Sequence, residues 1–305
     1  PSQSAQAVYQ EIVWPSLTSI ASRTGAKMTC MMTPQFTYTD EEEPDGENVT
    51  YYLKRLKEEH AEAGLSADSR EGIPLSEKIK QDQTFWQTYA PSYRFLSLYA
   101  DGVKSIGEES ALPAEIRTVA LGSGASGQAV GYLNENVTLQ PSTSSGIRHT
   151  FLDDFKVKCM ETALGYSNIT LDLYSVTYPE GDEDSWEKMS KKIAANLGTY
   201  WKAYEAFDAT TLTESDVRIR RFLALDYKQQ RAGNVITLSL EHREDAAWFL
   251  LRLHGEKVTE VAGGSFEEIE DGVYLILAEE DEVSVEVQTG EEWQYQDGGK
   301  RGDGT

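Results

Sequence analysis

A set of polar side chains recurs in this sequence just past short apolar runs. Thr33 and Gln35 end the run 26–33 or follow it, Ser66 and Asp68 follow the start of 63–67, and Tyr99 and Asp101 close 93–99. Ser123 and Ser126 follow 116–121, Ser142 to Ser145 and His149 follow 136–140, and Asp172 and Tyr174 belong to 168–174. If the runs are parallel strands, their C-terminal ends meet, and these groups meet with them. Hydroxyls, an amide and carboxylates together offer donors and acceptors, which is what the hydroxyls of a sugar require. Asp101 and Asp172, on different runs, are the two expected catalytic residues, a pair suited to acid/base hydrolysis. Gln35, Ser66, Asp68, Tyr99, His149 and Tyr174 are the expected substrate contacts. Asp172 lies between Leu171 and Leu173, so alternation sends it, with Tyr174, away from the apolar side. An inward carboxylate there must be hydrogen-bonded, paired or open to the mouth of the fold.

Other chemistries find less support. The four histidines, His60, His149, His242 and His254, include no pair at the spacing of a zinc motif, so neither a metal nor another cofactor is expected. Asp153 and Asp154 read as acidic residues opening a helix, which its dipole favours. Ser123 is flanked directly by Gly122 and Gly124, so no nucleophile elbow is formed. The same stretch matches Gly-x-Gly-x-x-Gly in letters, but Gly131 and the turn at 134–136 leave no clear helix after it. Cys30 and Cys159 read as small hydrophobes without a disulfide.

These groups need a framework of alternating helices and buried strands. Helical spacing is expected over 6–23, with a kink or a break into two short helices at Pro15, then over 49–63, 75–89, 152–164, 185–207 and 214–224. Strands are expected at 26–33, 63–67, 93–99, 116–121, 136–140 and 168–174. This order predicts an α/β fold with a parallel sheet or (β/α) barrel over 1–230. From Asn234 onward the stretches are short and alternating, which predicts a small antiparallel β-sandwich over 231–290. Residues 291–305 are polar and Gly-rich, a flexible tail.

The 305 residues carry 28 Lys and Arg against 51 Asp and Glu, a net charge of −23. Such a chain is a poor partner for nucleic acid or an anionic membrane surface. No stretch approaches the roughly 20 apolar residues of a membrane span.

The segment 9–34, with Val13-Trp14-Pro15-Ser16-Leu17 and then Gly25-Ala26-Lys27-Met28-Thr29-Cys30-Met31-Met32-Thr33-Pro34, resembles the first helix and second strand of NodB-type polysaccharide deacetylases. Residues 52–66 resemble the next unit of that family. The close, from Trp186 through Trp248-Phe249-Leu250-Leu251-Arg252 and Gly263-Gly264-Ser265 to Tyr274-Leu275-Ile276, looks like deacetylase-like proteins with an appended β-domain. The resemblance implies a distorted barrel of fewer than eight strands, without its first strand here. It also implies a polysaccharide or oligosaccharide partner in an extracellular or cell-envelope setting, although no signal peptide opens the chain at Pro1. The family's paired Asp would precede Pro1. Its two histidines belong where Ala67-Asp68-Ser69-Arg70 stands, and its late Leu-x-His where Leu171-Asp172-Leu173-Tyr174 stands. No family catalytic residue therefore carries over. The expected function is binding or acting on an exopolysaccharide or cell-wall glycan without the metal motif. A carboxylate-pair glycoside hydrolase and a non-catalytic glycan-binding or assembly module are the alternatives.

Overall fold

The computed structural model describes residues 9–32, 46–67, 75–101, 112–122, 129–146, 150–163, 165–173, 181, 185–200 and 208–289. The chain forms two compact units, Pro1–Ile219 and Arg220–Thr305.

In the first unit a π-helical turn, Tyr9–Val13, runs into α1, Trp14–Thr24. Pro15 lies in the first turn of α1, where a missing N–H breaks no helical hydrogen bond. Of the two expectations at Pro15, a kink or two short helices, the structure shows the second. Gly25 ends α1 at a φ of 74°, the left-handed geometry of a helix stop. There follow β1 Thr29–Met32, α2 Gly46–Glu58, β2 Glu62–Ser66, α3 Leu75–Tyr89, β3 Ser97–Ala100 and β4 Thr118–Leu121. The unit continues through β5 Gly131–Tyr132, β6 Thr138–Pro141, β7 Ser144–Ser145, α4 Phe151–Thr162, β8 Ile169–Thr170, α5 Trp186–Tyr200 and, up to Ile219, the first part of α6 Leu212–Ala224.

Strands β1, β2, β3, β4 and β6 pair in that order, all parallel, and β5 adds antiparallel to β6. Two residues past β6, β7 pairs parallel with β8. The sheet thus advances in chain order without reversing, unlike a doubly wound sheet. Among the described residues the ladders do not close into a barrel.

Side-chain alternation gives the sheet two unlike faces. One carries Met32, Ala63, Leu65, Leu98, Ala100, Val119, Leu121 and Leu139, buried with Val49 and Leu56 of α2 and Ile79 and Trp86 of α3. Cys30 packs on this cluster, and burial pushes its thiol up to about 12, so it is an inert apolar filler. The other face carries Thr29 and Met31, Glu62, Gly64 and Ser66, Ser97 and Tyr99, Thr118 and Ala120, and Thr138 and Gln140. A polar residue thus opens every one of the five parallel strands. A second cluster joins Val13, Leu17 and Ile20 to Met189 and Ile193 of α5, with Leu171 and Leu173 packed on it.

The second unit consists of β9 Asp226–Ala232, β10 Val235–Glu241, β11 Ala247–Arg252, β12 Glu256–Ala262, β13 Gly264–Glu270, β14 Val273–Ala278 and β15 Glu282–Thr289. They form two antiparallel sheets, β12-β15-β10-β9 and β11-β14-β13. Ile236, Leu238, Leu240, Val283, Val285 and Val287 of the first share one core with Tyr274, Ile276 and Ala278 of the second. This is the packing of two sheets through their apolar faces.

Candidate functional site

The parallel sheet has a polar layer at each end of its strands. At the N-terminal ends the hydroxyls and a carboxylate are saturated by α6. Glu62 accepts from the Thr213 N–H at 2.9 Å, the Thr213 hydroxyl at 2.5 Å, the Ser97 hydroxyl at 2.6 Å and the Thr29 hydroxyl at 3.3 Å. The Leu212 N–H donates to Thr29 Oγ1 at 2.9 Å. Farther along, Thr138 donates to Asp216 at 2.6 Å, and Gln140 Nε2 donates to Thr118 Oγ1 and to the Leu212 carbonyl. The first amides of a helix lack partners within the helix, and a carboxylate placed there also meets the positive end of its dipole. Glu62 fills that role from another element, so this layer is an internal helix cap that docks α6.

The C-terminal ends hold the candidate site. Tyr99 and Asp101 lie two residues apart on β3 and its end, hence on one face. The Tyr99 hydroxyl donates to Asp101 Oδ1 at 3.0 Å. Ser66, half-buried, is the register partner of Tyr99 on β2. Gly122, just past β4, donates its N–H to the Ala100 carbonyl at 2.9 Å. A Cβ at Gly122 would lie 2.6 Å from the Tyr99 hydroxyl. The absent side chain thus leaves the space the phenol occupies. Ser66, Tyr99, Asp101 and Gly122 form one rim across β2, β3 and β4, and Asp101 is exposed on it.

Asp172 follows β8 and is exposed, while Leu171 and Leu173 on either side of it pack into the helix cluster of α1 and α5. Gln35, Asp68, His149 and Tyr174 lie outside the described residues, as do Ser123 and Ser126. Each belongs to a segment following β1, β2, β7, β8 or β4. The hydroxyls at 142–143 are turned to the chain itself. Ser142 donates to the Ser144 carbonyl at 2.9 Å and Thr143 to the Asn168 carbonyl at 3.0 Å, holding the bend from β6 into β7 beside β8. Tyr166 supports that bend from below by donating to the Pro141 carbonyl at 2.9 Å, and burial holds its phenol protonated far above the usual range. Asp153 accepts from the Thr150 N–H at 2.8 Å while Thr150 Oγ1 accepts from the Asp153 N–H at 3.3 Å, a capping box at the start of α4. Among the described residues no three His, Cys, Asp or Glu side chains converge to hold a metal.

Sequence reasoning did not single out Glu62 or Gly122. The signal for the first was the polar residue opening each strand; for the second, a glycine one residue beyond a buried strand, opposite a tyrosine.

Gly122→Ala tests this geometry. The neighbour that must move is the end of a flexible side chain, so stability is expected to fall by less than about 1.5 kcal/mol. The Tyr99–Asp101 hydrogen bond is expected to break, read as a shift of the Tyr99 ring signals in NMR like that caused by Asp101→Asn.

No protein-family model matches the chain, and no curated protein matches it.

Proposed function

We propose that this chain is a carbohydrate-active protein of distorted (β/α)-barrel architecture that binds or acts on an exopolysaccharide or cell-wall glycan, its site at the C-terminal ends of the parallel strands. The observation that carries the reading is the rim of Ser66, Tyr99 and Asp101 over the side-chain-free Gly122. It presents an aromatic ring, a hydroxyl and an exposed carboxylate at the end of a sheet whose opposite end docks α6. A pyranose offers apolar C–H faces to such a ring and hydroxyls to such acceptors. The one-directional order of the parallel strands and the apolar outer face under α2 and α3 support the barrel. The resemblance to polysaccharide deacetylases supports the glycan context, and the absence of histidine at 67–70 separates this chain from their metal chemistry.

Within this reading Asp101 and Asp172 are the proposed catalytic residues. Hydrolysis requires them roughly 5–10 Å apart on either side of a glycosidic bond, one as acid and one as base or nucleophile. A non-catalytic module requires only that Asp101 and Tyr99 hold the sugar. Asp101→Asn is expected to weaken oligosaccharide binding about tenfold, the loss of one hydrogen bond to a charged group. Asp172→Asn distinguishes the readings. Binding kept with turnover abolished marks a hydrolase, whereas no turnover in either form marks a binding module. Calorimetric titration with β-linked oligosaccharides, alongside reducing-end release, makes both measurements. Unchanged affinity in Asp101→Asn would remove the rim from the site.

A further inference from the structure

A cavity of about 750 Å³ opens at the other end of the sheet, beside β1 and β2. Its lining brings together Lys27, Arg94 and, from the end of α2, Lys57 and His60, three separate places in the chain. This is unexpected in a chain with nearly twice as many acidic as basic residues. The two carboxylates in the wall are already engaged. Glu62 is saturated by Thr29, Ser97 and Thr213, and Glu214 holds Lys27 at 2.7 and 2.9 Å. Among the described residues Arg94 reaches only Glu115, at 3.9 Å, with both side chains largely exposed. Among the described residues the Lys57 and His60 side chains have no carboxylate partner.

The backbone singles out His60. The Ala61 N–H bonds to the Leu56 carbonyl at 2.9 Å and the His60 N–H to the Lys57 carbonyl at 3.3 Å, so α2 ends in a Schellman motif with His60 at its left-handed position. Its φ is 54°, where glycine is the usual residue and a side chain is disfavoured. The helix dipole accounts for Lys57 at this terminus. It does not account for Arg94 and Lys27 arriving at the same cavity from other segments.

We infer that this cleft is an anion-binding site for an oxyanion group, a phosphoryl or a carboxylate, with Lys57, His60 and Arg94 as its ligands. A guanidinium matches either group through two parallel hydrogen bonds, and an ammonium beside it adds charge. The site lies at the opposite strand ends from the glycan rim and does not depend on it.

The test is titration of the full chain, at low and constant ionic strength with chloride as background, with inorganic phosphate in one arm and glucuronate in the other. Saturable one-site binding is expected in at least one arm. Phosphate alone assigns a phosphoryl ligand, and glucuronate alone a carboxylate. Arg94→Ala and Lys57→Ala are each expected to weaken binding about tenfold, and Lys80→Ala on the exposed face of α3 to leave it unchanged. His60→Gly separates ligand binding from folding: it relieves the left-handed backbone, so Tm should hold or rise while affinity falls. Asp101→Asn should not alter phosphate or glucuronate binding. No saturable binding in either arm, or equal affinity in Arg94→Ala, Lys57→Ala and the parent, would overturn the assignment.

Discussion

Replacing Glu62 by alanine is expected to destabilise the Pro1–Ile219 unit by about 2–3 kcal/mol, below the range for a fully buried charge network because Glu62 is half-buried. Four donors converge on this carboxylate, two of them from Thr213 at the start of α6. Alanine leaves the Ser97 hydroxyl and the Thr213 amide without acceptors, each costing about 1–3 kcal/mol where water cannot reach. Glu62→Gln keeps the shape but turns one acceptor into a donor, so about 1–2 kcal/mol is expected. Because the chain has two compact units, a single unfolding midpoint would mix them. Amide hydrogen exchange separates them: the Thr213 and Leu212 amides should lose protection in Glu62→Ala, while Val283 and Val285 keep theirs. Protection of Thr213 equal to the parent would mean that α6 docks without this cap.

Gly264→Ala is expected to do the reverse, damaging the second unit and sparing the first. Gly264 opens β13 opposite Ala278 of β14, and a Cβ there runs into the Leu277 carbonyl oxygen. The obstacle is backbone already committed to the sheet, so it cannot swing aside as a side-chain end would. Gly263 beside it already sits at a φ of 79°, which leaves little freedom to re-route the chain. A loss of about 3 kcal/mol or more is expected, above the ordinary range for overpacking by one methyl group. Gly131→Ala is the control: nothing lies within 4 Å of its Cβ position, and a change within about 0.5 kcal/mol is expected. Exchange at Tyr274 and Ile276 should rise in Gly264→Ala alone. Equal protection in the two variants would show that β13 accommodates the methyl group.

The elements most legible in the sequence were those with one apolar side. Helical spacing marked α2, α3 and α6, and short apolar runs marked β2, β3 and β4, because each buries a face against the core. The strands β9 and β13 were not expected. Both are edge strands, and β9 is exposed along its whole length, so no alternation was written into Asp226–Ala232. Strands β7 and β8 are only two residues long, and among the described residues of the run 168–174 only Ile169–Thr170 is strand. Hydroxyl-to-carbonyl bonds from Ser142 and Thr143 hold that region, a pairing that no periodicity records.

For the site, strand ends and alternation were enough to pick out Ser66, Tyr99 and Asp101, because residues two apart on a strand share a face. They also put Leu171 and Leu173 on the helix side. Glu62 escaped notice because its partners lie 35 and 151 positions away in the chain. A cap supplied across that distance is a property of the fold, not of a local pattern. Lys57 and His60 gave no local signal for the same reason, since Lys27 and Arg94 reach them only through the fold.

The most direct test of the glycan reading is a titration of the full chain with β-linked oligosaccharides of increasing length, followed by the NMR signals of Tyr99 and Ser66. Saturable shifts at both residues are predicted, about tenfold weaker in Asp101→Asn and unaltered in Arg94→Ala. Absence of shifts at Tyr99 and Ser66 with every oligosaccharide, or shifts that Asp101→Asn leaves untouched, would contradict a carbohydrate site at the C-terminal ends of these strands.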